Sequence, residues 1–139
     1  MSASTNGSGM TTEELRAFYQ GYIDLANKRE YHRMAEFAHD ELILNGTPVK
    51  RDDMVAEFHK HTDAVPDFHW EIKDIIIEGD RIAARLVDTG TPIAQWNGLA
   101  PTGASVEFAE VGFYQIVDGR FKTMWYLMDA DLVRRQLAG

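Results

Sequence analysis

Residues 105–129, SVEFAEVGFYQIVDGRFKTMWYLMD, are the most informative stretch of the sequence for predicting the fold. Two long runs of apolar and aromatic residues flank the dipeptide Asp118-Gly119. An Asp-Gly pair between apolar runs is typical of a two-residue β-hairpin turn, because both residues tolerate a positive φ. This stretch therefore predicts a hairpin of two strands, Ser105–Val117 and Arg120–Asp129.

The turn also predicts the register of the hairpin. If Val117 pairs with Arg120, strict alternation assigns every second side chain to the same face. Glu110 then lies diagonal to Asp129, about 7–8 Å away backbone to backbone. One face of the hairpin holds two carboxylates among mostly apolar side chains: Phe108, Glu110, Gly112, Tyr114, Trp125, Leu127 and Asp129.

Two carboxylates on an apolar face have a chemical consequence if that face is interior. Each charge loses hydration and raises the pKa of the other carboxyl group, which suits a general base that works near neutral pH. Gly112 opposite Trp125 leaves room for the indole ring. The opposite face is also apolar, so we expect it to be covered by a second copy of the chain in a homodimer: Ala109, Val111, Phe113, Met124, Tyr126 and Met128.

The residues before the hairpin complete an α+β pattern. Thr11 and Glu14 form a capping box at the start of a first helix, and two further helices and a short strand at Glu41–Asn45 follow. Beyond Pro66 the apolar spacing changes from helical to alternating and predicts two more strands. A short helix, Leu132–Leu137, closes the chain. We expect a strongly curved antiparallel sheet, wrapped as a cone around the N-terminal helices.

Composition limits the classes of function. The chain has 139 residues, a formal net charge of -8 and no cysteine, so residues 11–139 suit one domain without disulfides. The acidic balance disfavours nucleic acid and anionic membranes as partners. Neither a membrane span nor a secretory signal is evident, and we expect a cytoplasmic protein. Residues 1–10, MSASTNGSGM, predict a disordered or added tail.

Several stretches carry a resemblance to a known family: PDFH at 66–69, GDRIAAR at 79–85, GLAPTG at 98–103, FYQIVDGR at 113–120 and MWYLMD at 124–129. With them, the chain from about Thr12 to Leu137 resembles the SnoaL-like polyketide cyclases and predicted ester cyclases. These belong to the nuclear transport factor 2-like superfamily, which has a cystatin-like α+β barrel. The resemblance implies a cone with one deep pocket and no cofactor.

The resemblance also implies a catalytic residue. An aspartate near the end of the last strand serves such cyclases as the base of an intramolecular aldol condensation, and Asp129 matches its position. The loop after the middle strand departs from the family, because Gly90-Thr91-Pro92 has proline where members often have histidine. Activities that need this histidine are therefore in question.

Each candidate residue also has a structural interpretation. Asp129 is either the base or the N-cap of the last helix, and Glu110 either shares a proton with Asp129 or points to solvent. Arg85 either binds an anionic substrate group or pairs with a neighbouring carboxylate. The remaining candidates are pocket walls or hydrogen-bond donors to a substrate oxygen: Trp125, Trp96, Phe108, Leu127, Tyr22 and Asn45. His59 and His61 form an H-x-H pattern that diverges on a helix, so we expect no metal site.

The sequence thus favours a cofactor-independent enzyme that acts on a small apolar or polyketide-like carbonyl compound. Asp129 would abstract a proton next to the carbonyl group, and a neutral donor would stabilise the enolate oxygen. Isomerisation of an enone and hydrolysis of an epoxide are alternatives for the same pocket. A dimeric module that binds a small ligand without catalysis is the contrasting class.

Overall fold

The computed structural model describes residues 7–138, and their secondary structure is α+β. The helices are α1 (Thr12–Asn27), a short 3-10 helix (Tyr31–Glu36), α2 (Arg51–Ala64) and α3 (Ala130–Ala138). The strands are β1 (Ala38–Leu44), β2 (Thr47–Lys50), β3 (His69–Glu78), β4 (Arg81–Gly90), β5 (Val106–Val117) and β6 (Arg120–Met128). The predicted second helix is the short 3-10 helix, and β2 is a strand that was not predicted from the sequence.

The six strands form one curved, unclosed sheet in the order β2-β1-β6-β5-β4-β3. Strands β3 to β6 form an antiparallel meander. Strand β1 pairs with β6 in parallel. The sheet is therefore mixed, whereas the sequence predicted a wholly antiparallel sheet. The concave face packs on α1, whose inward side chains include Tyr19 and Tyr22. The α+β fold predicted from the sequence is confirmed.

The β5–β6 hairpin begins as predicted and then departs from the predicted register. Asp118 and Gly119 have φ values of 48° and 79°, and Val117 pairs with Arg120. Lys122 is then an extra residue in β6, because Ile116 pairs with Phe121 while Gln115 pairs with Thr123. This β-bulge shifts every later residue of β6 by one position and so reverses the face on which each side chain lies.

The N-terminal end of the described chain is ordered against the hairpin turn. The backbone N–H groups of Asp118 and Gly119 donate to the carbonyl oxygens of Gly7 and Ser8, at 3.0 and 2.7 Å. Gly7 and Ser8 of the predicted tail thus contact the hairpin turn, and residues 1–6 lie outside the described residues. The predicted capping box is present, since Glu14 N–H donates to Thr11 Oγ1 and Thr11 N–H donates to Glu14. Within residues 7–138 no helix is long and apolar enough to cross a membrane.

Candidate functional site

A cavity lies between the concave face of the sheet, α1 and α2, and it measures about 50 Å³. Its lining is mainly aromatic and aliphatic, with two carboxylates and one histidine: Tyr19, Tyr22, Ile23, Ala26, Leu44, Met54, Glu57, Phe58, His61, Trp70, Leu86, Glu110, Tyr114, Met124, Tyr126 and Met128. The partly exposed members include Leu44, Glu57 and Met128. The cavity therefore opens between α2 and the C-terminal ends of β1 and β6.

Two carboxyl groups meet on the concave face beside this cavity. Asp88 on β4 pairs with Phe108 on β5, and the next inward residue of β5 is Glu110, which pairs with Leu86. Asp88 and Glu110 are thus diagonal neighbours on one face, within reach of each other. Both are buried, with 0% of Asp88 and 8% of Glu110 exposed to solvent. Glu110 lines the cavity, and Asp88 lies behind it, outside the lining.

Three of the four carboxyl oxygens of this pair lack hydrogen-bond donors. Both carboxyl oxygens of Asp88 and Oε1 of Glu110 are buried and receive no N–H or O–H from any described residue. Two ionised carboxylates in this position would repel each other and would each lose hydration, at a cost of several kcal/mol. A proton held between them removes this repulsion and supplies the missing hydrogen bond. The pair therefore carries at least one proton when the protein is folded.

Burial raises the pKa of both carboxyl groups. Burial, and then the adjacent Glu110 carboxyl, raise the pKa of Asp88 far above its usual range. Burial also raises the pKa of Glu110, but hydrogen bonding to Asp88 and to the Trp70 side chain opposes that rise. Trp70 is directly opposite Asp88 on β3, so the indole belongs to the same cluster. The pair thus shares at least one proton, and Glu110 is the member that lines the cavity, where it can give or take a proton.

Tyrosines occupy the deep side of the cavity. The hydroxyls of Tyr19 and Tyr114 share a hydrogen bond of 3.1 Å, and burial raises the pKa of Tyr19, Tyr22 and Tyr114. Gly112 makes the position of Tyr114 possible, because a Cβ atom on Gly112 would stand 2.2 Å from the Tyr114 hydroxyl. The predicted occupant of this space, Trp125, lies elsewhere, so that prediction is wrong. Tyr22 has no hydrogen-bond partner among the described residues, so its hydroxyl is available to a ligand.

His61 presents its imidazole to the cavity from α2. The Trp96 indole Nε1–H donates to His61 Nδ1 at 2.9 Å. Burial lowers the pKa of His61, the nearby charge of Glu57 opposes this by raising it, and Lys60 lowers it further. Burial therefore favours the neutral form of this histidine, with Nδ1 as a hydrogen-bond acceptor. Among residues 7–138 no group of three His, Cys, Asp or Glu side chains is placed to hold a metal ion.

Asp129, the predicted base, lies outside the cavity. Its side chain is exposed, and Leu132 N–H donates to its Oδ1 at 3.1 Å at the start of α3. It thus occupies the N-cap position that was the structural alternative. The bulge at Lys122 is the reason, because it pairs Glu110 with Met128 and carries Asp129 beyond the end of the strand. The predicted juxtaposition of Glu110 with Asp129 is wrong.

The same shift moves two predicted pocket residues to the convex face of the sheet. Trp125 is 50% and Leu127 is 72% exposed there. The predicted opposite face is corrected accordingly, since Met124, Tyr126 and Met128 line the cavity. The exposed Trp125 ring packs over Gly46. A Cβ atom added to residue 46 would stand 3.1 Å from this ring.

Two polar candidates also lie outside the cavity. Arg85 is exposed and pairs with Asp74 on the adjacent strand, with 2.7 Å from its Nε to Oδ2. Asn45 is exposed, with a φ of 49°, and its Oδ1 accepts the backbone N–H of Tyr126 at 2.8 Å. Both side chains are thus engaged in structural contacts, and for Arg85 this contact is the alternative that the sequence left open.

Four predicted site residues lie inside the cone. Glu110 and Tyr22 line the cavity. Trp96 and Phe108 are buried behind it, where their ring centroids are 5.8 Å apart. Asp88 and Trp70 were missed, although a signal existed: residues 82, 84, 86, 88 and 90 alternate inward along β4, and Asp88 is the charged member of that set. Burying a charged side chain at an inward position of a strand costs folding free energy, so such a residue indicates a candidate functional site.

Comparisons with known proteins agree with this architecture. Over residues 16–137 the sequence matches the profile described as SnoaL-like polyketide cyclase. A SnoaL-like polyketide cyclase from Agrobacterium tumefaciens str. C58 is 27% identical with a TM-score of 0.83, and the match covers 88% of this chain and 97% of that chain. AclR from Streptomyces galilaeus, a suggested hydroxylase, is 25% identical with a TM-score of 0.79, covering 92% of this chain and 98% of that chain.

A more distant structure shows the fold alone. IdmH from Streptomyces antibioticus, a suggested polyketide cyclase, is 22% identical with a TM-score of 0.80, and the match covers 89% of this chain and 98% of that chain. None of the curated proteins compared with the chain matches it. The family resemblance expected from the sequence is confirmed.

Proposed function

Since the chain belongs to the family of SnoaL-like polyketide cyclases, we propose that it is a cyclase-like enzyme in which Glu110 is the general base. The observation that carries this proposal is the buried Asp88–Glu110 pair, with three oxygens that no described donor satisfies. Such a pair costs folding energy, and a cost of this kind is typical of a functional site. The reaction would need no cofactor.

The two carboxyl groups have different roles in the proposed reaction. Glu110 lines the cavity and takes a proton from the carbon next to a carbonyl group of the substrate. Asp88 stays protonated and donates a hydrogen bond to Glu110 from behind. The enolate carbon then attacks a second carbonyl carbon of the same molecule, which forms the C–C bond, and the resulting alkoxide receives the proton back from Glu110. The enclosed cavity holds both reacting carbons close together.

The charges of the lining favour an uncharged substrate. Glu57 and Glu110 line the cavity, and no Lys or Arg side chain does so among residues 7–138. A carboxylate or phosphate group would therefore be repelled without compensation. Most of the lining is apolar, and its three methionines have flexible, unbranched side chains that can move to admit a molecule larger than the present cavity. A neutral ketone or ester suits this site better than the corresponding acid.

Exchange of hydrogen for deuterium tests this proposal without knowledge of the natural substrate. Methyl 4-acetylbenzoate in D₂O contains an acetyl group whose protons exchange only after a base has removed them. We expect the protein to accelerate this exchange, measured by ¹H NMR, and to act at least about 10-fold less well on 4-acetylbenzoate, whose charge is repelled. Equal rates with and without the protein, for both compounds, would contradict the proposal.

We also propose that the chain forms a homodimer through the convex face of its sheet. Four large apolar side chains are exposed there on neighbouring strands: Ile76 at 68%, Phe113 at 62%, Trp125 at 50% and Leu127 at 72%. Phe113 pairs with Trp125 on one side and with Ala83 on the other, and Ala83 pairs with Ile76, so three of them form one row across the sheet. A contiguous apolar patch of this kind is typical of an interface.

A charge at the centre of this row is expected to prevent association. We expect Phe113→Lys to sediment as a monomer at a micromolar concentration at which the unmodified protein sediments as a dimer. Ile93→Lys is the matched control, because Ile93 is equally exposed at 66% but lies in the loop after β4, outside the sheet. A monomeric unmodified protein would refute the dimer.

A further inference from the structure

The loop after β4 carries Trp96, whose side chain contacts His61 in the cavity lining. The chain turns back at Asn97 and Gly98, which have φ values of 50° and 78°. Trp96 and Leu99 on either side of this turn exchange two backbone hydrogen bonds of 2.9 Å. Two positive φ values in succession, closed by such a pair, are typical of a tight hairpin turn. The turn therefore fixes the backbone from which the Trp96 side chain projects.

The Trp96 side chain is fixed as well. It is 3% exposed, and its ring packs against Phe68 and Phe108 at centroid distances of 5.8 Å to each. Its Nε1–H can reach one partner, His61 Nδ1, at 2.9 Å. An indole nitrogen donates and never accepts, so Nδ1 must be the unprotonated nitrogen of that imidazole. A neutral His61 therefore carries its proton on Nε2.

The second nitrogen of His61 is free to act on a ligand. Its Nε2 has no hydrogen-bond partner among the described residues, and it is not among their fully buried orphan atoms. His61 lines the cavity from α2, whereas Glu110 lines it from β5. A donor and a base from different elements thus face one enclosed space. Pro92 occupies the loop position at which family members often have histidine, and the histidine that lines the cavity in this chain is His61 on α2.

We infer that His61 donates a hydrogen bond from Nε2–H to the carbonyl oxygen of the substrate, and that Trp96 is the positioning residue that keeps His61 in this tautomer. The inference rests on the proposed function, since Glu110 would generate the enolate whose oxygen His61 stabilises. A neutral donor is suited to this task, because its proton stays on the imidazole while the negative charge develops on the oxygen.

Protonation would break this arrangement. An imidazolium carries a proton on Nδ1 as well, and that proton would face the indole N–H of Trp96. Lys60 further disfavours the cation, whereas Glu57 favours it. The other titratable side chains of the lining come from α1 and the sheet: Tyr19, Tyr22, Glu110, Tyr114 and Tyr126. Of these, Glu110 is the group whose charge would favour a cationic His61, and the proton it shares with Asp88 limits that effect.

NMR of the protein with ¹⁵N-labelled histidine tests the tautomer directly. At pH 7 we expect His61 to show a protonated Nε2 and an unprotonated Nδ1. Trp96→Phe is expected to raise the pKa of His61 and to populate the second tautomer, because the donor that excludes a proton from Nδ1 is gone. His59 is the internal control, since its ring packs on Tyr31 and not on Trp96. A proton on Nδ1 in the unmodified protein would overturn the inference.

The contact with the ligand is tested with methyl 4-acetylbenzoate as the probe. We expect the probe to shift the His61 Nε2 signal, and we expect His61→Leu to lower its deuterium exchange about 100-fold, as for loss of one oxyanion donor. His61→Gln, which places an amide N–H near the position of Nε2, should restore most of the rate. Exchange that depends on Glu110 but survives in His61→Leu would overturn this inference alone. A shift of Nε2 without any exchange would support the donor and overturn the proposed function.

Discussion

Replacing Glu110 with glutamine is expected to lower the rate of deuterium exchange by at least about 100-fold, the usual contribution of a general base. Glutamine has nearly the same shape as glutamate but cannot accept a proton at neutral pH. The substitution also removes one of two facing carboxyl groups, so the protein should remain folded. Exchange of methyl 4-acetylbenzoate in D₂O, followed by ¹H NMR, measures the rate.

Asp129→Asn is the matched control for this experiment. Asn is as good an N-cap as Asp, and the exposed Asp129 side chain accepts one backbone N–H at the start of α3. We therefore expect Asp129→Asn to exchange the probe at the unmodified rate. The opposite pattern, with activity lost in Asp129→Asn and kept in Glu110→Gln, would restore the base that was assigned from the sequence.

The second large effect concerns stability at alkaline pH. Asp88 keeps its proton in the folded protein, because burial and the neighbouring Glu110 raise its pKa, whereas the unfolded chain releases that proton above a pH of about 4. The stabilisation is thus complete below the unfolded pKa and is lost as the pH rises towards the folded pKa. For one retained proton, the free energy of unfolding should fall by about 1.4 kcal/mol for each pH unit.

Asp88→Asn is expected to reduce the slope of the free energy of unfolding against pH. The amide is neutral at every pH, and its N–H₂ group can donate to Glu110, so no proton has to be retained between the two residues. Urea unfolding at pH 7, 8 and 9 measures the slope. This window lies above the titration of His61, whose pKa is lowered by burial and which affects stability only at more acidic pH.

Asp74→Asn serves as the control for the slope. Asp74 is exposed and paired with Arg85 on the outer face, so its substitution should leave the slope of the unmodified protein unchanged. If the unmodified protein and Asp88→Asn lost stability in parallel from pH 7 to 9, the buried carboxyl pair would not hold a proton. Higher stability of Asp88→Asn at pH 9 would show the energetic cost of keeping this acid in the fold.

Local signals in the sequence were sufficient for the class of fold. The capping box at Thr11 and Glu14, the alternation after Pro66 and the Asp118-Gly119 turn depend on residues close together in the chain, and all three are present in the structure. The parallel pairing of β1 with β6 could not be read in the same way. It joins segments about 80 residues apart, and no local pattern specifies such a partner.

Within the hairpin, the predicted faces hold only for the residues before the bulge. Glu110 lines the cavity as expected. Trp125, Leu127 and Asp129 were all misplaced for a single reason, because one extra residue at Lys122 reverses every later side chain of β6. Lys122 sits next to the parallel strand and donates to the carbonyl oxygen of Glu41 at 3.0 Å. The position of the bulge is therefore set where β6 meets a strand that is remote in the chain.

The amino-acid order by itself determined that an α+β domain would form and that acidic side chains would point into it, because alternation and turn chemistry act over a few residues. The alternation along β4 also indicates that Asp88 points inward, although this residue was missed in the sequence-based prediction. Which carboxyl groups meet depends on long-range strand pairing, since the β4–β5 register brings Asp88 to Glu110 while the bulge places Asp129 at the start of α3. Pairing between strands depends on the geometry of the whole sheet, and a shift of one residue in that pairing is enough to move the base.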